Sequence, residues 1–475
     1  MARSSERACE KSDPAAAKPP SLTDIMVEAI GRETGEPGWM VDFRRAAFEH
    51  YRRMEMPSPA ADAWRRTDLR QFPFSELNLE ALAVSGKPKR VPASWLKPVA
   101  GTQTGGQLAL EDRSVHTATL DDDLARAGVI FMPFSQAVRE HADLVRSLMG
   151  SVVPATADIF SALISILFDS GFLLHVPKGV RIDKPLHSLL WSSGEGLRAW
   201  RLLVNVEEGA EVSLLHEVAS PEREAAAARL DIIELIVHPG ATLRFFMTQA
   251  WGGNIVRVAH EKAAVHRGGR LFWGNADYGA RSTKVFSTLD LKGEGASAQW
   301  SGIQVLDGEQ RADLTTAQNH LAPKTVSDLL NKGVLLGASE SNASGMIRIE
   351  PDAAGADGFQ GNRILLLSER ARAEAVPGLE ILSDDVRCSH GVSIGGLDPD
   401  ELFYLRSRGI PEAESKTLLV EGFLEGVLRR IPEEEIRQRV HLAVSAKMKT
   451  MEAGQLQNTQ SARKQEMPDA EGVKS

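Results

Sequence analysis

From Leu173 onward, apolar and polar residues alternate in short runs separated by turn residues, with little helical periodicity. The runs Leu202 to Val206, Glu211 to His216, Leu230 to Val237, Thr242 to Met247 and Ser297 to Val305 are examples: short, apolar-rich and bounded by turn residues, as strands are. Four runs begin at comparable turns, Gly209-Ala210, Gly240-Ala241, Gly269-Arg270 and Gly295-Ala296, at spacings of 31, 29 and 26 residues. A loose period of this size is what stacked β-coils produce. One coil cannot cover its own apolar side, so neighbours must bury it by stacking. On spacing alone, a β-sandwich or barrel stays open as the competing all-β arrangement.

The flanks read differently. Between Leu22 and about Ser170 the pattern is mainly helical: Phe43, Ala46 and Ala47 recur beside Arg44 and Arg45, and Phe134 to Met149 and Ala155 to Phe168 give further amphipathic runs. Pro57, Pro59, Pro73, Pro92 and Pro98 break the intervening segment into turns. After Gly396 helical spacing returns. Asp398-Pro399-Asp400-Glu401 is a start signal, with an Asp cap, Pro in the first turn and acids behind it. A second helix is expected from about Pro411 to Arg430, and a third from Pro432 with Glu433, Glu434 and Glu435 in its first turn. The predicted layout is a disordered leader over 1–22, a mainly helical domain over 23–170, a β core over 171–396, a helical domain over 397–453 and a disordered tail over 454–475.

Composition narrows the function classes. The 475 residues are 43% hydrophobic and 25% charged, enough for a sizeable core. Net charge is −9, from 55 basic and 64 acidic residues with the signs interspersed. No basic stripe is present for a nucleic-acid backbone to engage. No run reaches the roughly 18 apolar residues of a membrane-spanning helix. Met1 to Leu22 has no apolar signal core and carries Glu6, Glu10 and Asp13, which excludes a secretory signal and disfavours a transit peptide. The two cysteines, Cys9 and Cys388, lie far apart, so no disulfide framework is expected and the reducing cytoplasm is the natural compartment.

Candidate chemistry is sparse. If Asp384 to Ser393 is a strand, Val386, Cys388 and His390 share a face. A thiolate beside an imidazole suits iron, zinc or copper, yet two ligands cannot close a metal site and a self-contained cluster needs about four. A ligand set shared across a subunit interface would complete it; the plainer alternative is a buried cysteine beside a satisfied histidine. The pairs His175/His187 and His216/His238 lack metal spacing. Asp231/Glu234, Asp352/Asp357 and Asp384/Asp385 could in principle form an acid–base or calcium site, against solvated turns as the bland alternative. Trp251, Trp273 and Trp300 could form an exposed sugar-binding strip or pack along a solenoid edge. There is no Gly-x-Ser-x-Gly elbow and no Gly-x-x-x-x-Gly-Lys-Ser/Thr loop, so neither nucleophilic catalysis nor ATP hydrolysis is expected.

Several motifs together resemble one family. Val386-Arg387-Cys388-Ser389-His390-Gly391, followed by Leu402 to Ile410, is similar to the C-terminal signature of the SufB/SufD family of SUF iron–sulfur assembly scaffolds. Gln360-Gly361-Asn362-Arg363 with Leu365 to Ser368, and Thr325 to Val334, resemble the same family. Trp64-Arg65-Arg66-Thr67-Asp68 resembles its Glu-x-Trp-Arg-Tyr-Thr-Asp, with Asp62 standing for the acid and Arg66 for the tyrosine. The likeness extends from about Trp39 to Lys449. Arg363 stands where the SufB branch usually has a cysteine, and Cys388-Ser389-His390 where it has Glu-His-Glu; both departures follow the SufD branch. The resemblance implies a right-handed parallel β-helix between helical end domains, and a non-catalytic scaffold in the cytoplasm. It implies pairing with SufB along the β-helix, docking of the C-terminal helices on the SufC ATPase, and allows a homodimer in isolation. His390, with Cys388 as the weaker companion, would supply or tune a metal ligand. No cofactor would be tightly bound in isolation; a transient iron–sulfur cluster or iron would sit at the interface with SufB. A SufB-like subunit that holds the cluster itself, and a β-helix polysaccharide-binding protein or enzyme, are the alternatives.

Overall fold

The computed structural model describes residues 22–23, 27–28, 30–31, 35–72, 91–96, 104–193, 196–431, 434 and 437–449. The expected leader up to residue 21, the expected tail, Glu433 and Glu435 of the third C-terminal helix, and Cys9 lie outside the described residues. Two sheets dominate. Sheet A runs in spatial order β2 (Ser114–Leu120), β1 (Gly106–Glu111), β5 (Leu186–Trp191), β7 (Glu211–Ala219), β9 (Thr242–Ala250), β11 (Arg270–Asp277), β13 (Ser297–Leu306), β15 (Val326–Leu335), β17 (Asp357–Leu366) and β19 (Arg387–Gly395). Sheet B runs β3 (Ile130–Pro133), β4 (Ser170–Val176), β6 (Gly196–Val206), β8 (Ala227–Val237), β10 (Ile255–Val265), β12 (Ser282–Leu291), β14 (Arg311–His320), β16 (Glu340–Ile349) and β18 (Arg372–Ile381).

From β4 onward even strands lie in sheet B and odd strands in sheet A, and every pairing except β1–β2 and β3–β4 is parallel. This is a β-solenoid. In sheet A the register carries Leu214 to Phe245, Trp273, Trp300, Leu329, Gln360 and His390, a step of 27 to 31 residues per coil. The loose period in the sequence is this step. Gly209, Gly240 and Gly295 turn the corners with φ of 68°, 67° and 70°, a conformation that costs glycine no Cβ clash. At the third corner the left-handed residue is Gly268 (φ 62°), one before the expected Gly269.

The segment expected to be mainly helical over 23–170 holds α1 (Gly38–Tyr51), α2 (Ala93–Leu96), α3 (Asp122–Arg126), α4 (Phe134–Glu140), α5 (Ala142–Leu148) and α6 (Ile159–Leu167), but also β1, β2 and β3. β1 enters sheet A beside β5, and β3 closes sheet B against β4. The first coil is thus completed by chain from the N-terminal segment.

Three apolar layers stack through the molecule. The solenoid interior holds Leu214, Phe245, Trp273 and Trp300. The outer face of sheet B (Leu230, Ile232, Val258) is covered by α1, α4 and α6 through Phe48, Phe134, Phe160 and Leu163. The outer face of sheet A (Phe246, Ile303, Val305, Leu330, Val334) is covered by α8 (Glu412–Leu428) and the helix over 437–449, through Val420, Leu424, Val440 and Val444. Strands buried on both faces lose their polar alternation; every residue of β8 is buried. Trp251, Trp273 and Trp300 are 1 to 2% exposed inside the coils, so neither the exposed strip nor the edge packing considered from the sequence is what they form.

Candidate functional site

The solenoid ends at β18 and β19, each paired on one side only among the described residues. In β17 the buried positions Gly358, Gln360, Asn362 and Ile364 face inward. Their register partners in β19 are Cys388, His390, Val392 and Ile394. These four share the inward face, yet no further coil covers them, and His390, Val392 and Ile394 are exposed. On the facing strand Leu379 and Ile381 are exposed too, with Val376 and Leu382 close by. The last coil is therefore an open apolar end, with a thiol and an imidazole about 7 Å apart along one strand.

The two polar groups sit in different surroundings. Cys388 carries no disulfide and is half-buried against the cluster of Ile347, Ile349, Ala353 and Ala356, beside Val386. Burial, with Asp357 adding negative charge nearby, pushes its thiol pKa above the ordinary value. Among the described residues no group of three or more His, Cys, Asp or Glu could hold a metal ion. Cys388 and His390 alone offer two donors, fewer than a closed metal site or a cluster needs.

Residues the sequence did not single out surround this end. His320 is fully buried two coils inward. A Cβ placed on Gly358 would lie 3.0 Å from Ile347 Cγ2, 3.2 Å from His320 Nε2 and 3.6 Å from Cys388 Sγ, so this glycine leaves room for all three side chains to gather around it. Thr325 donates its hydroxyl to the Ala322 carbonyl (3.0 Å), so at 2.8 Å it accepts from His320 Nδ1–H, and Ser327 then donates to Nε2 at 2.8 Å. Burial drives the His320 pKa down to about 4, which keeps it neutral. Inside the last coils Gln318 and Asn331 are fully buried, and neither amide has a hydrogen-bond partner among the described residues. Gln360 Oε1 and Asn362 Nδ2 are likewise unpartnered. The interior thus turns from apolar to polar as it approaches Cys388 and His390. The Thr325–Val334 and Gln360–Arg363 motifs contain several of these residues, but no spacing rule in sequence joins positions a full coil apart.

The other sequence candidates do not converge. His187 Nε2 faces Glu217 at 3.3 Å, while His175 meets Asn205 at 2.9 Å. His216 lies inside the solenoid on Ser188 (2.9 Å) and His238 sits at a corner on Asn205 (2.8 Å). Asp231 points inward to Arg257 (2.7 Å), and Glu234 points outward to Arg201 (2.9 Å) and the N–H groups of Gly150, Val152 and Val153. Asp352, Asp384 and Asp385 are exposed.

Next to β19, Asp398 caps α7 (Pro399–Ser407) by accepting from the Asp400 N–H at 2.8 Å. On this helix Phe403 and Tyr404 are 72% and 57% exposed, the most open aromatics near the site. The following helices are tied to sheet A by Arg439–Glu217 (2.9 Å), Lys447–Asp307 (2.8 Å), Arg430–Asp328 (3.1 Å) and a bond from Lys332 Nζ to the Phe423 carbonyl.

Comparison with known proteins agrees with this architecture. Residues 190–423 match the family profile described as SUF system FeS cluster assembly, SufBD core domain, and residues 32–187 match the SufBD protein N-terminal region. The chain is 27% identical over 430 residues to an iron–sulfur cluster assembly SufBD family protein of Staphylococcus haemolyticus, covering 87% of this chain and 90% of that protein. The same figures hold for the iron–sulfur cluster assembly protein SufB of Bacillus subtilis. A SufBD family protein of Staphylococcus aureus is 26% identical over the same span. No described helix is long and apolar enough to cross a membrane.

Proposed function

The chain belongs to the SufBD family of SUF-system iron–sulfur cluster assembly proteins, and on that premise we propose that it is the SufD-type scaffold subunit, non-catalytic and cytoplasmic. It pairs with a SufB-type solenoid and docks the SufC ATPase, supporting cluster assembly and iron acquisition. The observation that carries this reading is the open last coil: two unpaired strand edges, an exposed apolar interior and Cys388 with His390 on the same face. An unpaired edge is a template for another chain's strand, and proteins that leave one uncovered use it or suffer for it. Pairing there would bury Val392 and Ile394 and bring a partner's donors to the two that this chain offers.

The assignment to the SufD branch is supported by Arg363 where the SufB branch usually has cysteine, and by Cys388-Ser389-His390 itself. Residue 363 faces outward and is exposed, on the opposite face of its strand from Asn362. The exposed Phe403 and Tyr404 on α7 fit a protein-docking surface beside the site, which is where SufC is placed in this reading. ATP-driven movement of SufC would then act on a helix that starts four residues after β19 ends.

The test is anaerobic co-expression with the same organism's SufB and SufC, followed by pull-down on this chain. Recovery of all three, with iron present only in the complex and reduced in His390→Ala, is the expected result. Iron yield unchanged in His390→Ala under iron limitation would remove the role of His390. Recovery of the chain alone and metal-free would sink the scaffold reading.

A further inference from the structure

The Trp64–Asp68 motif has no part in the open end, yet it reaches it. Across the outer face of sheet B, Lys284, Asp313, Asn342 and Glu374 stand in register on β12, β14, β16 and the edge strand β18. The segment carrying the motif lies over this ladder. Trp64 stacks on Phe160 with ring centroids 4.9 Å apart and packs against Phe286 at 5.4 Å. Lys284 Nζ sits over the Phe286 and Trp64 rings at 4.7 and 5.6 Å and pairs with Asp313 at 2.9 Å. Thr67 donates its hydroxyl to the same Asp313 at 2.5 Å. Arg66 then crosses to the last rung, Nε to Glu374 Oε2 at 2.8 Å and Nη2 to Oε1 at 2.6 Å. One short segment therefore anchors on β12 and β14 and ends with a two-pronged grip on β18.

We propose that Arg66 is a positioning residue for the pairing edge: it clamps β18 from outside the solenoid so that a partner's β-strand meets a fixed edge. This rests on the pairing reading above. Two observations support the assignment. The Arg66 side chain is 11% exposed against 52% for Glu374, so the guanidinium is held by its surroundings while the carboxylate is the part that has been captured. The fork-to-carboxylate geometry fixes orientation as well as distance.

β18 needs such a hold. Among the described residues it has one neighbouring strand and no coil beyond it, and it contains Pro377. A strand free to fray would have to be ordered at the moment of pairing, which weakens association.

The experiment compares the full chain with Arg66→Met, Glu374→Gln and the exchanged pair Arg66→Glu/Glu374→Arg. Hydrogen exchange by mass spectrometry is read on peptides from β18 and from β8 to β10, and association with the SufB-type partner is measured by titration. The expected result is about fivefold faster exchange in β18 alone, the size of a single well-formed ion pair. Partner affinity should weaken by a similar factor, and the exchanged pair should recover both. Unchanged β18 exchange in Arg66→Met overturns the clamp, and so does faster exchange with unaltered affinity. If the unmodified chain does not associate with the partner at all, the pairing reading fails and the positioning role falls with it. The exchange pattern then tells that result apart from a clamp that never formed.

Discussion

Replacing Arg439 by methionine tests how the C-terminal helix is held. Its guanidinium reaches Glu217 at 2.9 Å, and the Glu217 side chain is fully buried. The other cationic candidate, His187, faces the carboxylate at 3.3 Å and is neutral whenever it is not protonated. Methionine keeps the apolar stem beneath Trp95, over which the guanidinium lies at 5.2 Å, so the change removes charge and little volume. An uncompensated buried charge left by breaking a pair costs about 3–5 kcal/mol. The helix over 437–449 is docked mainly by Val440, Val444 and Met448, all buried, worth about 1.5–3 kcal/mol each before the entropy of ordering. The lost pair is therefore comparable to the net docking energy, and the helix is expected to detach locally while the solenoid stays folded. Limited proteolysis and hydrogen exchange should show residues 437–449 exposed with β8 and β10 still protected. Adding Glu217→Gln should restore most of the protection, because the group that suffers is the carboxylate. The reasoning is refuted if Arg439→Met leaves the helix protected, or if the double variant does no better than the single one.

His320 is held neutral by burial with its pKa near 4, against about 6.5 in an unfolded chain. Its contribution is complete above pH 6.5 and is lost as pH falls towards 4, because only the unfolded state takes up the proton in that window. Chemical denaturation at pH 7 and pH 5 should show about 2 kcal/mol of this loss, absent from His320→Gln; equal pH slopes for the two proteins would contradict it. Gly171 has φ +123°, and a Cβ there would lie 1.9 Å from the Arg201 carbonyl oxygen on the neighbouring strand. Gly171→Ala should cost more than about 3 kcal/mol, read as a lowered thermal midpoint, and a stable variant would show that β4 can shift away from β6.

The all-β core was legible because its runs are short and its corners carry glycine, but its loose step left a sandwich or barrel open, and the β-helix followed from the family resemblance. The N-terminal strands were not. β1 and β2 are joined by a tight turn with Asp112 at φ 47°, a conformation asparagine and aspartate tolerate but do not announce. They also lie among helices, so an isolated β-pair there had no neighbours in sequence to mark it. Inside and outside could not be assigned for strands such as β8, where helices cover the outer face and erase the polar alternation. Of the site, Cys388 and His390 could be placed on one strand face from period two alone. Gln360, His320 and Glu374 could not be joined to them, because neighbours along a solenoid axis stand a whole coil apart in the chain.

The two ends of the solenoid are finished differently, and that difference bears on function. A stack of coils exposes its apolar interior at each end unless something caps it. At the first end β1 and β2 turn antiparallel, β3 closes on β4, and helices cover the flank through Phe134, Phe160 and Leu163. At the other end the chain leaves β19 for α7 without folding back, and Leu379, Ile381, Val392 and Ile394 stay exposed. Scattered apolar residues on a surface need no explanation, but four that belong by register to the interior do. A lone chain would be expected to cap that end with a polar coil or a helix, as it does at the other. Covering by a second solenoid satisfies the same physical demand, and it would enclose Cys388 and His390 in the contact rather than leave them in solvent. On this argument, which rests on the proposed pairing, the open coil and the Cys388–His390 face would be one feature, an end left for a partner to cover.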